Sequence, residues 1–358
     1  MKKLLLILFV IFSLNTEAQY VTNFAQNVNQ NEIDGFYYYL PRNIIKIDFV
    51  IEEQQNVKGK YSIYAKEMLN TDDFIKENST TYSIINVNTN ILTEADPNYV
   101  FMLSADEKNK DNLNVNLELT SDGVLKSFGH KNISTENSEN ISFENKMEYI
   151  DTEKEYNFIP IKDEDEDAVA NNKMTDKELA SQIINEIKKL RVAYFDLITG
   201  FQEVNYGNTM NYMIDELKSL EYEYLSMFLG KTNKRTFTMS FYVIPENGNH
   251  NYNITKFSEN EGLNPKIGEI VKINFVDTSF SENINKLTKD NIENATYYNK
   301  IFYRNPANVT MQILVGENII SQNRLKISQF GDLILVPINK MKLTFDTNTG
   351  QIMSIIKE

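Results

Sequence analysis

Apolar and polar residues alternate with a period of two in several parts of this chain. The first clear stretch covers residues 45–52, where Ile45, Ile47, Phe49 and Ile51 alternate with Lys46, Asp48, Val50 and Glu52. Residues 112–119 repeat the pattern, and Ser121-Asp122-Gly123 follows them as a turn signal. Such alternation is typical of strands buried on one face. It predicts a mostly antiparallel β domain over residues 19–161.

The period changes to three and four residues after position 175. Thr175 and Glu178 have the spacing of a capping box, and Gly200 supplies a stop signal. A second helix is predicted from about residue 208 to Gly230. A short connection and two apolar faces predict an antiparallel helical hairpin over residues 175–231. The expected apolar positions are Leu179, Ile183, Ile187, Leu190, Tyr194 and Leu197 on the first helix, and Met210, Met213, Leu217, Leu220, Tyr224 and Phe228 on the second.

Strand alternation returns after the hairpin. The predicted strands include residues 236–243, 269–276, 309–315, 324–328, 332–337, 340–345 and 351–356. Residues 346–350 are expected to form the turn of the last β hairpin. These strands predict a C-terminal β domain over residues 232–358, and the acidic residues 162–174 read as a linker. The predicted fold class is α+β, with two mostly antiparallel β domains separated by the helical hairpin.

The first eighteen residues have the pattern of a secretory signal peptide. Lys2 and Lys3 precede an apolar run from Leu4 to Phe12, and a cleavage site is expected after Ala18. The sequence therefore predicts an exported protein of the periplasm or the cell surface. The periplasm is favoured, because the C-terminal part has no recognisable export domain of its own.

Composition excludes several classes of activity. The net charge is −14, which disfavours binding to nucleic acid and to anionic lipid. The chain contains no cysteine, which excludes thiol nucleophiles, disulfides, cysteine-bound zinc and a lipid-modified cysteine. Beyond the leader no apolar run is long enough for a transmembrane helix. No cofactor and no metal are expected.

Candidate catalytic residues are few. The two histidines, His130 and His250, lie in Asn- and Gly-containing stretches that favour solvated loops. Paired carboxylates could serve a hydrolase, but sequence spacing does not bring two acids together. Two segments contain acidic residues that could bind a cation, residues 163–167 (DEDED) and Asp346 to Gly350. A solvated linker and a hairpin turn are the favoured interpretations of these two segments.

Four consecutive aromatic residues form the most distinctive surface candidate: Phe36, Tyr37, Tyr38 and Tyr39. Aromatic side chains offer a large contact area at a small cost in conformational entropy. They are the predicted ligand or partner surface of the chain. Packing within a strand and its core is the competing interpretation, because alternation buries half of such a run.

A series of short motifs resembles a family of exported proteins of unknown function from Bacteroidetes-type bacteria, about 350 residues long. The motifs are Gly35 to Pro41, Leu190-Arg191, Thr199-Gly200, Phe228-x-Gly230-Lys231, Gln329-Phe330-Gly331, Leu335-Val336-Pro337 and Asp346 to Gly350. Family members more often have Ala-Leu-Pro where this chain has Tyr39-Leu40-Pro41. The resemblance implies an envelope or secreted protein and supplies no catalytic residue.

These observations favour a non-enzymatic protein of the cell envelope that binds or assembles with a partner, either an envelope protein or a glycan. Two alternatives stay open at this point. One is a carboxylate-dependent hydrolase of glycans or peptides, and the other is a surface adhesin that binds glycans. The oligomeric state is not indicated by the sequence.

Overall fold

The computed structural model of the chain describes residues 20–25, 35–106, 115–130, 174–200, 209–276, 287, 289–293 and 295–357. The helices are α1 (Ala65–Leu69), α2 (Asp176–Thr199), α3 (Met210–Leu229) and α4 (Lys289–Ile292). The strands of the first half are β1 (Tyr20–Phe24), β2 (Gly35–Val57), β3 (Ser79–Ala105), β4 (Val115–Leu119) and β5 (Leu125–His130). Those of the second half are β6 (Lys231–Val243), β7 (Asn251–Ser258), β8 (Gly262–Leu263), β9 (Glu269–Val276), β10 (Tyr297–Tyr298), β11 (Lys300–Val315), β12 (Asn318–Pro337), β13 (Met341–Phe345) and β14 (Ile352–Lys357).

The chain divides into two compact units. Unit 1 comprises residues 1–52, 82–133 and 236–358, and unit 2 comprises residues 53–81 and 134–235. Within the described residues, unit 1 contains most of the strands and unit 2 contains α1, α2 and α3. Chain order and spatial grouping therefore differ, because unit 2 draws on two separate parts of the sequence.

The strands form three sheets with the orders β10-β1-β3-β2-β6, β12-β11-β9-β7-β8 and β14-β13-β5-β4. The mostly antiparallel β character predicted from the sequence is confirmed. Strands from both predicted β domains lie side by side in the first and third sheets. Period-two alternation identifies a strand but not its neighbour, and some neighbours here, such as β1 with β10 and β5 with β13, are more than 200 residues apart.

One core of unit 1 confirms the alternation in β2. Ile45, Ile47, Phe49 and Ile51 are each 0% exposed, and the residues between them face outwards. Their cluster includes buried residues of β9, β11 and β12, and Phe237, Met239, Phe241 and Val243 of β6 pack against it. The strand predicted over residues 236–243 is therefore confirmed.

A second core of unit 1 joins the ends of the long strands to the third sheet. Its buried members include Tyr38 of β2, Phe101 of β3, Phe302 of β11, Phe128 of β5 and Leu343 of β13. The hairpin predicted around Ser121-Asp122-Gly123 is present as β4 and β5, and residues 346–350 connect β13 to β14. Both predicted β hairpins are confirmed.

Unit 2 contains the predicted helical hairpin. Thr175 caps α2 through a complete capping box with Glu178, and Gly200 ends the helix in the left-handed region with φ 68°. Arg191 pairs with Glu221 at 2.5 Å, and Lys218 lies over the ring of Tyr194 at 5.5 Å. From the first contact to the second, the residue number increases from 191 to 194 on α2 and decreases from 221 to 218 on α3. The two helices are therefore antiparallel.

The core of unit 2 is formed by one end of the helical hairpin. Ala180, Ile184 and Ile187 of α2 and Phe228 of α3 are buried together with Tyr61 and Ala65, which belong to the segment around α1. The packed end of the hairpin thus comprises the first half of α2 and the last turns of α3. The predicted leader at 1–18 and all of the predicted linker except Met174 lie outside the described residues, and these assignments stay predictions.

Candidate functional site

The aromatic segment Phe36 to Tyr39 does not form one continuous surface. Tyr38 is 0% exposed, whereas Phe36 is 49% exposed at the beginning of β2. The Tyr38 ring stacks on Phe101 with the ring centroids 5.5 Å apart, and its hydroxyl accepts a hydrogen bond from the backbone N–H of Phe302 at 2.9 Å. Burial raises the pKa of Tyr38 far above the ordinary value of 10. Tyr38 is therefore a core residue.

Tyr37 and Tyr39 are half-buried. The backbone N–H of Tyr39 donates to the carbonyl oxygen of Gly123 at 2.9 Å, and a Cβ at Gly123 would lie 2.9 Å from the Tyr39 ring. This ring thus supports the β4–β5 turn. With Tyr38 in the core, the predicted ligand surface is reduced to Phe36, Tyr37 and Tyr39, and its role stays a prediction.

A small cavity lies beside this segment, between Tyr39, Pro41 and Phe345. Its volume is about 10 Å³. A single water molecule needs at least roughly that much room, and a sugar ring or a peptide side chain needs far more. The cavity is therefore a packing gap next to Tyr39 and not a substrate pocket.

Several motif residues that are far apart in sequence meet around Asn43, which is 0% exposed. Its side-chain oxygen accepts from the N–H of Ser328 at 2.7 Å, and its side-chain nitrogen donates to the carbonyl of Asn348 at 2.8 Å. Its backbone exchanges two hydrogen bonds with the Gln329 amide, at 2.9 and 2.7 Å. Asn43 therefore joins β2 to the bulge in β12 and to the β13–β14 turn.

The β13–β14 turn satisfies its own polar groups. The Asp346 carboxylate accepts from the backbone N–H of Asn348 at 2.9 Å and from the Thr349 hydroxyl at 2.8 Å. Gly350 closes the turn by donating to the carbonyl of Asp346 at 2.7 Å. In the segment Asp346 to Gly350, both oxygens of the Asp346 carboxylate therefore accept hydrogen bonds from the turn itself. This is expected for a hairpin turn.

A buried ion pair lies next to this cluster. Arg304 donates to the carboxylate of Asp96 at 2.8 Å and to the carbonyl of Pro41 at 2.7 Å, and both charged side chains are about 5% exposed. The guanidinium also lies 4.4 Å from the ring centroid of Tyr99. Each of these contacts stabilises the charged form of Arg304 in the interior.

The other buried carboxylate among the described residues is Glu53, which is 2% exposed and pairs with Arg235 at 2.5 Å. Each of the two buried acids is therefore paired with an arginine, Asp96 in unit 1 and Glu53 in unit 2. No cluster of three or more Asp, Glu or His residues suited to a metal occurs in the part of the chain that the structure describes.

The structure describes the side chain of one of the two histidines, His250. The His250 ring lies 5.8 Å from that of Phe330, and its segment precedes β7. The side chain of His130 lies outside the described structure.

No described helix is both long enough and apolar enough to cross a membrane.

The second half of α2 exposes a row of apolar side chains. Val192, Phe195 and Ile198, which we call the outer α2 stripe, are 59%, 56% and 45% exposed. They follow one another at intervals of three residues, on the part of α2 that lies beyond the packed end of the hairpin. Leu197, on the inner side, is only 6% exposed. In the second half of α2, Leu197 is therefore covered, whereas the three residues of the stripe are not.

The sequence prediction missed this stripe because it assigned a single apolar face to α2. A second signal was present, since Val192, Phe195 and Ile198 also recur at helical spacing. The prediction likewise missed the Asn43 cluster and the Arg304 ion pair, whose members lie more than 200 residues apart. The sequence signal related to the Asn43 cluster was the series of family motifs, which includes Gln329 and Asn348.

The chain is thus defined structurally as a mostly antiparallel β protein with a helical unit assembled from two segments, and its most distinctive open surface is apolar. It belongs to the family described as "Domain of unknown function (DUF4831)", which matches residues 34–353. No curated protein gives a significant match, and no solved structure does either.

Proposed function

We propose that this chain is exported to the cell envelope, where it binds another protein through the outer α2 stripe and catalyses no reaction. The observation that carries the proposal is the exposure of 59%, 56% and 45% at Val192, Phe195 and Ile198, on the half of α2 that lies beyond the packed end of the hairpin. Single exposed apolar residues are ordinary, but a row at helical spacing is the pattern of a helix that docks against a partner.

The charges around the stripe are largely paired within the protein. Residues 187–200 contain three cations, Lys188, Lys189 and Arg191. Lys189 pairs with Glu186 and Arg191 pairs with Glu221, so these two cations are already neutralised. The expected partner surface is therefore an apolar strip, and its recognition rests on apolar contact.

The leader predicted at residues 1–18 is the reason for placing this partner in the cell envelope, with the periplasm favoured. Phe36, Tyr37 and Tyr39 form a second candidate contact for a protein or a glycan. Neither the hydrolase nor the glycan-binding adhesin receives comparable support, because the described buried acids are paired with arginine and Tyr38 lies in the core.

The test compares three proteins expressed in host cells: wild type, the double variant Val192→Asp and Phe195→Asp, and the control Ile63→Asp. Ile63 is also in unit 2 and is 69% exposed, but it lies outside the stripe. Cells are crosslinked intact and fractionated, and the attached proteins are identified and quantified by mass spectrometry. Circular dichroism establishes that each variant is folded.

We expect wild type and Ile63→Asp to recover one envelope protein in constant ratio, and the double variant to recover at least tenfold less. Equal recovery by all three proteins would exclude the stripe as the binding surface. Retention of the protein in the cytoplasm with an uncleaved leader would overturn the envelope assignment.

A further inference from the structure

The last strand of the third sheet, β14, has an open edge whose only charged residue lies at its last position. Among the described strands only β13 pairs with β14, which lies at the end of its sheet. Between Ile352 and Lys357 the strand contains one charged residue, Lys357, and no proline. Natural edge strands usually carry charges or prolines, or are very short, so that they do not pair with another chain.

The other outer strands of the described sheets have this protection. Two of them, β8 and β10, are each two residues long. The remaining three contain charges: β6 carries Lys231, Lys234 and Arg235, β12 carries Arg324, Lys326 and Asp332, and β4 carries Glu118. β4, like β14, has a single charge, but its apolar side chains Val115, Leu117 and Leu119 pack against the core, whereas β14 exposes Met353, Ile355 and Ile356.

The apolar surface of the third sheet also continues past the covered region. Phe128, Leu343 and Ile355 are neighbours across β5, β13 and β14. The first two are 0% exposed, whereas Ile355 is 56% exposed. Met353 and Ile356 of the same strand are 69% and 54% exposed. The row of apolar side chains thus ends at an uncovered isoleucine on an open edge.

We propose that β14 pairs antiparallel with β14 of a second copy of this chain, forming one continuous sheet across a two-fold axis. With the axis at Ile355, that residue lies opposite its own copy, and Ser354 lies opposite Ile356. Met353 then lies opposite Lys357, so no like charges meet. A two-fold antiparallel pairing is self-complementary and requires no second sequence.

This inference is independent of the outer α2 stripe, and the two can be tested separately. Light scattering coupled to size-exclusion chromatography gives the molar mass of the wild-type mature chain across a concentration series. Ile355→Lys introduces the charge that other edges carry, and Ile63→Lys is the matched control at an exposed position in unit 2. We expect dimeric wild type and control, and at least a tenfold higher dissociation constant for Ile355→Lys. Wild type that stays monomeric at every concentration overturns the proposal.

The natural absence of cysteine allows the pairing itself to be mapped. Ile355→Cys places one thiol in each copy, and a short bismaleimide is expected to join the two chains at that position. Ile63→Cys provides the control and is expected to give no joined product. The proposal is overturned if the two variants crosslink equally or if Ile355→Cys does not crosslink. Should Ile355→Cys fail to fold, Ser354→Cys serves in its place, since it lies next to the axis.

Discussion

Arg304 and Asp96 form an ion pair of 2.8 Å between side chains that are 6% and 5% exposed. Because the pair lies in the interior of unit 1, removal of either partner leaves a charge that water does not reach. Arg304 also donates to the carbonyl of Pro41, which precedes Asn43 by two residues. The pair therefore stabilises the region where β2, β11 and β3 meet.

We predict that Arg304→Met lowers the free energy of unfolding by about 3–5 kcal/mol, because it leaves the Asp96 carboxylate buried and unpaired. Urea unfolding followed by tyrosine fluorescence measures the loss. Lys66→Met is the control, since Lys66 and Asp72 form an ion pair whose side chains are 71% and 74% exposed. Exposed pairs contribute at most about 1 kcal/mol. Equal losses in the two variants would contradict the structural role of Arg304.

The Asn43 cluster makes a second prediction possible. Asn43→Ala removes the acceptor for the Ser328 N–H and the donor to the Asn348 carbonyl. Since each unsatisfied buried group costs about 1–3 kcal/mol, the expected loss of stability is about 2–4 kcal/mol. Asn348→Ala is a matched control, because Asn348 enters the cluster through its backbone and its side chain is exposed. Its expected effect is within about 0.5 kcal/mol. A larger loss for Asn348→Ala than for Asn43→Ala would refute this assignment.

Gly331 is required by a close approach of two strands. Asn305 pairs with Asp332 and Ala307 pairs with Ile327, so β12 bulges opposite Pro306. A Cβ at position 331 would lie 1.9 Å from the carbonyl oxygen of Asn305. We predict that Gly331→Ala destabilises the protein by about 3 kcal/mol, because the backbone must shift.

Thermal unfolding measures this loss, and Gly129→Ala provides the control. Its added Cβ would meet the flexible side chain of Lys342 at 3.2 Å. We expect the control to cost less than about 1 kcal/mol, since that side chain can move. If Gly331→Ala unfolds at the wild-type temperature, the strand bulge does not have the geometry described.

The capping box of α2 predicts a dependence on pH. The backbone N–H and the hydroxyl of Thr175 donate to the Glu178 carboxylate at 2.7 and 3.0 Å, and these bonds lower the pKa of Glu178 below its ordinary value of 4.5. The ionised carboxylate is therefore favoured in the folded state. Its stabilising contribution is complete above pH 4.5 and is lost as the pH falls through the lower folded value.

We predict that Thr175→Ala reduces helix stability by about 1 kcal/mol near neutral pH, as expected for a lost cap. The difference from wild type should narrow in acid, because the bond from the hydroxyl to the carboxylate is then weakened in wild type too. Urea unfolding followed by circular dichroism at several pH values measures this. Ser181→Ala, which removes a hydroxyl bonded to the carbonyl of Lys177, should show no such pH dependence. A constant difference for Thr175→Ala at all pH values would contradict the capping box.

Local elements of this fold were predictable because their signals are local. Thr175, Glu178 and Gly200 define α2 by short-range capping chemistry, and Ile45 to Ile51 define the inner face of β2 by alternation. The strand β3, by contrast, was not predicted. Its first half is rich in Asn and Thr and largely exposed, so it lacks a clear apolar row.

The candidate site was predictable only in part. Tyr38 was placed with Phe36 on a possible binding surface, but its position in β2 brings it against Phe101 and Phe302 in the core. Sheet pairing brings together residues that are far apart in sequence, such as Asn43 with Ser328 and Arg304 with Asp96. The periodicity of the sequence contains no information about such pairs. The outer α2 stripe was visible in the sequence, although its exposure depends on which side of α2 the core covers.

The most direct test of binding through the outer α2 stripe is site-specific photocrosslinking in intact host cells. A photoreactive phenylalanine analogue replaces Phe195 in one strain and Ser181, an exposed residue on the packed half of α2, in another. We predict one discrete adduct with an envelope protein from position 195 and none from position 181. The same adducts from both positions, or none from position 195, would contradict the proposal.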